Sequence, residues 1–317
     1  MNDRRTRLDT LAIVTLVGCC ALWGLNHAVT KLTLAEIPPL LQAGARSVGA
    51  ALLVAAWAGW QGISLSLRNG TLPGGLLAGA TFAAEFACIY WGLQYTEASR
   101  MIVFIYLAPF VVALGMPLVA HSERPSAAQL LGLAVAFSGV AWAFAESLTG
   151  TPVPGKEQRW IGDALGVLAA VLWGANTLCL RGSRLATATP VQALFYQLAV
   201  SGPLLLVGSW LVGEAWPAPG QLSTQAWALM GFQTAVVSFV SYLLWFWLLR
   251  RYPATQVTAF TLLTPLAGLL AGVGLLGEPL TLRLGVACAT VVLGIALVNR
   301  APTRVSPAGS TAGTGRT

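Results

Sequence analysis

Glu85 is the one carboxylate in TFAAEFACIYWG (81–92), a run otherwise built of aromatic and small apolar residues. Arg46 is a guanidinium in a comparable setting, PLLQAGARSVGAALL (39–53). A carboxylate so placed can hold a proton or an ammonium group, and a guanidinium can hold a carboxylate; each can also serve the other. An isolated charge at the centre of a bilayer costs roughly 2.5–3.5 kcal/mol even on the mildest scales, so both must face a bundle interior or a wet cavity. At helical spacing from Glu85 stand Ala78, Thr81, Cys88 and Gly92, with Phe82, Phe86 and Ile89 on the flanks. That narrow face either presses on another helix or lines a void. Trp23 and Asn26 in ALWGLNHAVTK (21–31), Trp173 and Asn176 in VLWGANTLCLR (171–181), and Tyr90 extend the set of polar and aromatic groups able to touch a small molecule. The Trp rings could wall an amphipathic ligand or simply pack helices, and the Asn pair serves interhelical hydrogen bonds or a ligand.

The elements that position these groups follow from composition. Of 317 residues 56% are hydrophobic and only 9% charged, against about 25% charged in ordinary soluble domains. A hydrocarbon core about 30 Å thick takes about 20 apolar helical residues per crossing. Ten apolar runs fit that length: 11–31, 39–60, 72–95, 99–120, 126–146, 161–181, 190–213, 225–249, 254–277 and 280–299. The expected fold class is therefore an all-α integral membrane protein. The basic start, MNDRRTRLDT, leads into a run too long for a signal peptide and is read as preceding a retained helix. The tail from Pro302, rich in Ser, Thr, Gly and Pro, is expected to be disordered.

With the N-terminus inside, twelve Lys and Arg residues fall in inside segments and five, Lys31, Arg100, Lys156, Arg159 and Arg283, in outside ones; Arg46 falls within a span. Both termini are thus expected to be cytoplasmic, in a bacterial inner membrane. The net charge of +7 reflects this topology and contact with anionic lipid, since no basic groove with interleaved aromatics suggests nucleic acid. The five cysteines all fall inside spans and imply no disulfide framework. Metal-ligand spacings, phosphate-binding glycine loops and nucleophile motifs are absent from the sequence, so neither a cofactor, a metal nor an enzyme is expected.

The chain also repeats itself. Trp23-Gly24 and Asn26 correspond to Trp173-Gly174 and Asn176, Lys31 to Arg181, Pro109 in IYLAPFVVAL (105–114) to Pro265 in TLLTPLAGLL (261–270), Glu123 to Glu278, and Gly139 to Gly294. Five spans per half is an odd number, which turns the second half over: two inverted-topology five-helix repeats, 11–146 and 161–299. A cytoplasmic N-terminus (1–10), an external linker (147–160) and a cytoplasmic tail (300–317) complete the organisation. Inverted repeats recur in secondary transporters, whose site lies at the repeat interface near the midplane.

The paired WG(x)N signatures with their following Lys or Arg, the deep prolines Pro109 and Pro265, and LGEPLT at 276–281 resemble the EamA-type transporters of the drug/metabolite transporter superfamily, over about residues 11–299. The resemblance implies a ten-helix fold, both termini cytoplasmic, and export of small metabolites, often amino acids or related compounds, without ATP hydrolysis. Two positions depart from it: Ser122 stands where a Gly usually precedes the first-half Glu, and Gln197 takes the place that Arg46 holds in the first half.

Counting rise per residue places Arg46 roughly 11–12 Å and Glu85 roughly 15 Å below the outer surface. The near-equal depths predict that the two pair. His27 is expected at the outer surface or in packing. Pro109 and Pro265 should remove helix hydrogen bonds and give kinks or hinges. The expected function is a secondary active transporter exporting a small amphipathic metabolite by alternating access, with the bilayer and a small molecule as partners and a proton as candidate coupling ion. The substrate or proton path would comprise Glu85, Arg46, Trp23, Asn26, Trp173, Asn176 and Tyr90. Alternatives are an importer or facilitator and, in another class, a non-transporting membrane receptor or assembly factor; monomer and homodimer both remain open.

Overall fold

The computed structural model describes residues 8–65, 70–119, 123–124, 127–149, 157–252, 257, 260–300 and 304–305. Residues 150–156 of the linker, the first seven residues, and the expected disordered tail apart from residues 304–305 lie outside the described residues.

Among the described residues the regular structure is helical apart from a two-residue antiparallel pairing of Glu123–Arg124 with Arg304–Val305. In chain order the helices are α1 (Thr10–Thr33), α2 (Pro39–Trp60), α3 (Leu72–Gly92), α4 (Ala98–Ile105), α5 (Ala108–Val119), α6 (Ala127–Thr149), α7 (Arg159–Gly182), α8 (Pro190–Leu211), α9 (Thr224–Gly231), α10 (Tyr242–Arg251), α11 (Leu263–Leu276) and α12 (Leu282–Arg300). Between α9 and α10 a π-helical stretch runs from Phe232 to Ser241. Seven helical stretches among the described residues are long and apolar enough to cross a membrane, two of them composite: α4 with α5 (Ala98–Val119) and α9 through α10 (Thr224–Leu248). The other three expected spans coincide with shorter apolar runs, Leu130–Ala143, Leu263–Leu276 and Leu282–Leu297.

Local chemistry starts several of these helices. Asp9 caps α1 by accepting from Ala12 N at 2.8 Å, and Thr189 caps α8 by accepting from Gln192 N at 3.1 Å, with Pro190 in the first turn. Two starts are capped by distant carboxylates instead. Glu214 accepts from Leu40 N (3.0 Å) and Leu41 N (2.9 Å) at the start of α2. Glu278 accepts from Ala98 N (2.7 Å) and Ser99 N (2.9 Å) at the start of α4. Both complement otherwise orphaned amides and the positive end of the helix dipole. In the loop after α1, Glu36 accepts from the Ser223 hydroxyl (2.6 Å) and backbone amide (2.7 Å). Those bonds hold its exposed carboxyl below the usual range.

Contacts between the halves are reciprocal. A Cβ on Gly24 in α1 would stand 2.5 Å from the Gly268 nitrogen in α11, and one on Gly174 in α7 would stand 2.5 Å from Val111 Cγ1 in α5. Thus each WG glycine admits a helix of the opposite half, which no larger residue would allow. The same exchange recurs where Gly44 of α2 meets Leu206 of α8 while Gly202 of α8 meets Val48 of α2. The repeat-equivalent Gly139 and Gly294 likewise lie at the contact of α6 with α12.

The two prolines expected to delete mid-helix hydrogen bonds do not. Pro109 is the second residue of α5, just after the break at Tyr106–Leu107, and Pro265 is the third of α11, after a 3₁₀ turn at Phe260–Leu262. In a first turn the missing N–H has no partner to lose, so each proline starts a half-helix rather than bending a continuous one.

Candidate functional site

A cavity of about 290 Å³ lies between the two halves. Every residue singled out in the sequence as a path candidate lines it: Trp23 and Asn26 from α1, Arg46 from α2, Glu85 and Tyr90 from α3, and Trp173 and Asn176 from α7. Phe82 and Phe86, expected beside Glu85, line it too, while Tyr106, Tyr242 and Phe246, which complete its aromatic walls, and Thr177, Thr261 and Thr264, which add hydroxyls, were not singled out in the sequence. His27 also lines the cavity, half-buried and with Nδ1 lacking a hydrogen-bond partner, rather than lying at the outer surface.

The aromatic walls are assembled across the repeat. Trp23 packs edge-on to Trp245 (centroids 5.2 Å apart) and beside Tyr242 (6.0 Å), while its indole N–H donates to Ser241 Oγ at 2.8 Å. Trp173 packs edge-on to Tyr106 at 5.5 Å. Each first-helix Trp is therefore fixed by aromatic residues of the opposite half, with the edge-to-face geometry that ring quadrupoles favour.

The charged groups behave differently from expectation. Arg46 is buried, and its guanidinium lies 4.1 Å from the Phe86 ring centre and 5.4 Å from that of Tyr90. Among the described residues no carboxylate comes within 4.0 Å of it. Arg46 Nε and Glu85 Oε2 are both buried without a hydrogen-bond partner, as is Asn26 Oδ1. The direct Arg46–Glu85 ion pair inferred from matching depths is thus not formed. Equal depth fixes height in the bundle but not azimuth, and the aromatic faces of α3 take the cation instead. In the second half Gln197, at the position equivalent to Arg46, donates to Asn176 Oδ1 at 3.2 Å. The two repeats differ here, one presenting charge and the other a satisfied amide pair.

One end of the cavity is closed by polar contacts. Gln233, fully buried in the π-helical stretch, accepts on Oε1 from Tyr90 Oη (2.9 Å), Gln42 Nε2 (3.1 Å) and Thr30 Oγ1 (3.2 Å), and donates to Thr33 Oγ1 (3.1 Å). Beyond it lies an ionic cluster. Arg100 contacts Asp163 at 2.6 Å and Glu146 at 2.9 Å and donates to the Ala143 carbonyl at 2.7 Å, while Thr96 Oγ1 donates to Asp163 at 2.6 Å. Lys31 lies 3.5 Å from Glu278, and Arg159 lies 3.7 Å from Glu97. Sequence reasoning placed Arg100, Lys31 and Arg159 in outside loops and passed over Asp163. The available signal was that Glu97 and Arg100 stand one helical turn apart beside a span, with Asp163 at the start of another.

Comparison with known proteins decides what kind of molecule carries this cavity. The EamA-like transporter family model matches residues 10–145 and again 160–300. The chain belongs to the EamA-like transporter family. Proteins similar to this chain include an uncharacterized transporter of Bacillus subtilis, YvbV, 28% identical over 297 residues and covering 92% of both chains. Two proteins named probable amino-acid metabolite efflux pump are each 29% identical. The one from Salmonella typhimurium matches over 278 residues, and the one from Escherichia coli over 276; each match covers 86% of this chain and 87% of the relative. A solved crystal structure superposes with a TM-score of 0.62 at 19% identity, covering 90% of this chain and 96% of its own, which shows a shared fold. The present EamA protein is accordingly a multi-pass membrane transporter and not an enzyme.

Proposed function

We propose that this EamA protein is a secondary active exporter that moves a small amphipathic metabolite, an amino acid or related compound, out of the cell across the inner membrane by alternating access. The observation that carries this reading is a cavity lined by both halves, with polar atoms lacking hydrogen-bond partners and aromatic walls together. The three shorter apolar helices cross as well, giving ten spans in two oppositely oriented repeats; the reciprocal glycine contacts support that symmetry. Pro109 and Pro265 begin the half-helices beside the cavity and serve as hinges, because a helix interrupted just before a proline has few backbone bonds to break on moving.

The burial of the cavity's two ends supports an inward-facing state. Tyr90 and Ile102 are buried towards the ionic end, whereas Leu180, Trp245 and Thr261 are partly exposed towards the end where Asp9 meets Tyr252. With the N-terminus cytoplasmic, this is a state that receives ligand from inside. Glu85 exchanges a proton for substrate during the cycle, and a proton moving inward resets the exporter. An importer also passes through an inward-facing state, so the outward direction rests on the names of the efflux-pump relatives. The test is a resistance screen. Bacteria expressing the protein and challenged with toxic amino acids, purines and amino-acid analogues should tolerate at least one compound better than cells carrying an Arg46→Ala, Glu85→Ala double variant. Equal sensitivity across the panel would count against export, and heightened sensitivity would identify an importer.

A further inference from the structure

The cavity is lined by two ionisable groups of opposite sign that make no hydrogen bond or ion-pair contact with each other. Arg46 has a buried Nε without an acceptor, and Glu85 has a buried Oε2 without a donor, yet both line the same space of about 290 Å³. Unlike Arg100, which meets Asp163 and Glu146 at contact distance, Arg46 has no carboxylate within 4.0 Å among the described residues and lies against ring faces. A bare cation as ligand would complete Glu85 and leave Arg46 unfilled; a bare anion would do the reverse; a neutral molecule would leave both buried and unpartnered, at the usual desolvation cost. Only a ligand with both charges completes the site. The remaining wall is largely aromatic and apolar, which calls for an uncharged apolar side group, and the cavity volume lies at the small end of ligand pockets, typically about 300–1,000 Å³.

From this geometry we infer that the ligand is a small zwitterion with an uncharged apolar side group, its carboxylate held by Arg46 and its ammonium by Glu85, with Asn26 Oδ1 a second acceptor for the ammonium. The inference rests on the transport reading above and narrows its substrate class. In its stronger form it assigns each end of the ligand to one residue, so that specificity should turn over when one charge is removed.

The experiment uses three probes of one shape: L-phenylalanine, 2-phenylethylamine, which lacks the carboxylate, and 3-phenylpropanoate, which lacks the amine. Binding is measured by calorimetry on the purified full-length protein in nanodiscs. Wild type should bind the zwitterion at least about tenfold more tightly than either partial analogue, the scale of one lost charge-assisted contact. Arg46→Gln should lose that preference and favour the amine over the acid, and Glu85→Gln should favour the acid over the amine. Arg46→Lys and Glu85→Asp, which keep charge, should retain the wild-type ranking and guard against misfolding of the neutral variants. Absence of zwitterion binding, a partial analogue bound as tightly as the zwitterion by wild type, or an unchanged ranking in both neutral variants would overturn the inference. Transport is scored separately by counterflow in liposomes. A correct binding ranking without counterflow would defeat the transport reading while leaving the recognition inference standing. Counterflow of other solutes without this ranking would do the opposite.

Discussion

The Arg46 guanidinium lies 4.1 Å from the centre of the Phe86 ring, and among the described residues no carboxylate stands within 4.0 Å of it. Arg100, buried to the same degree, sits 2.6 Å from Asp163. These two arginines should respond oppositely to neutralisation. Breaking a buried contact pair leaves the other charge stranded and costs about 3–5 kcal/mol. Arg100→Met should therefore lower the melting temperature strongly, because Asp163 loses its partner. Arg46→Met should change stability far less, because relief of an unfilled buried charge offsets the lost ring contact, of about 2 kcal/mol when desolvated. Thermal unfolding of the two variants in the same detergent checks the contrast, and equal losses would mean that Arg46 has a contact partner after all.

Stability should also separate Arg46 and Glu85 in a double-mutant cycle. Opposite charges that share a cavity without contact still couple through space, so Arg46→Ala and Glu85→Ala should show a coupling at the low end of about 0.5–3 kcal/mol, below the loss of about 3–5 kcal/mol that breaking a buried contact pair brings. A large coupling energy would restore the direct ion pair.

Close packing between the halves makes a third prediction. Gly24→Ala places a methyl group 2.5 Å from the Gly268 backbone nitrogen and should cost about 1–3 kcal/mol through overpacking. Gly18→Ala, six residues earlier on the same helix and with nothing within 4 Å, should be neutral or stabilise by up to about 1 kcal/mol through helix propensity. Matching effects at the two sites would contradict the close approach of α1 to α11.

Topology is open to a direct check. A reporter fused after Arg300 should be cytoplasmic, and one inserted in 147–160 should be external, as the twelve-to-five bias in basic residues predicts. An external reporter after Arg300 would refute the ten-span arrangement or its orientation.

Much of the cavity was legible because its polar residues contradict their surroundings. Glu85 and Arg46 are charges in apolar runs, and Trp23, Asn26, Trp173 and Asn176 recur at equivalent places in a duplicated chain. Each has a cost in hydrocarbon that only an interior or a cavity relieves. Tyr106, Tyr242 and Phe246 were not legible, because an aromatic residue in a span reads alike whether it faces lipid, core or cavity. The π-helical stretch from Phe232 to Ser241 contains neither Gly nor Pro, so nothing in its sequence marks the change of hydrogen-bond register. The ionic cluster escaped for another reason. Charges near span ends are normally solvated, and only the fold brings Arg100, Glu146 and Asp163 from three elements into contact.

Glu85 should make transport depend on pH. The titratable and charged groups lining the same cavity are His27, Arg46, Tyr90, Tyr106 and Tyr242, and Cys88 lies one turn away on α3. Glu85→Gln fixes the shape of the protonated acid. Transport by wild type should vary from about pH 5.5 to about pH 8.5, and transport by the variant should be nearly flat over that range. A full wild-type profile in Glu85→Gln would remove the proton role and point to His27.

Counterflow tests the central claim most directly. Liposomes containing the purified protein and loaded with unlabelled neutral amino acid should transiently accumulate external labelled amino acid above its equilibrium level. Alternating access exchanges ligand one molecule at a time, and a pore or a non-transporting receptor does not. Protein-free liposomes and the Arg46→Ala, Glu85→Ala double variant should show no such overshoot. An overshoot that survives in the double variant, or none from wild type across a panel of neutral amino acids, would contradict transport through this cavity.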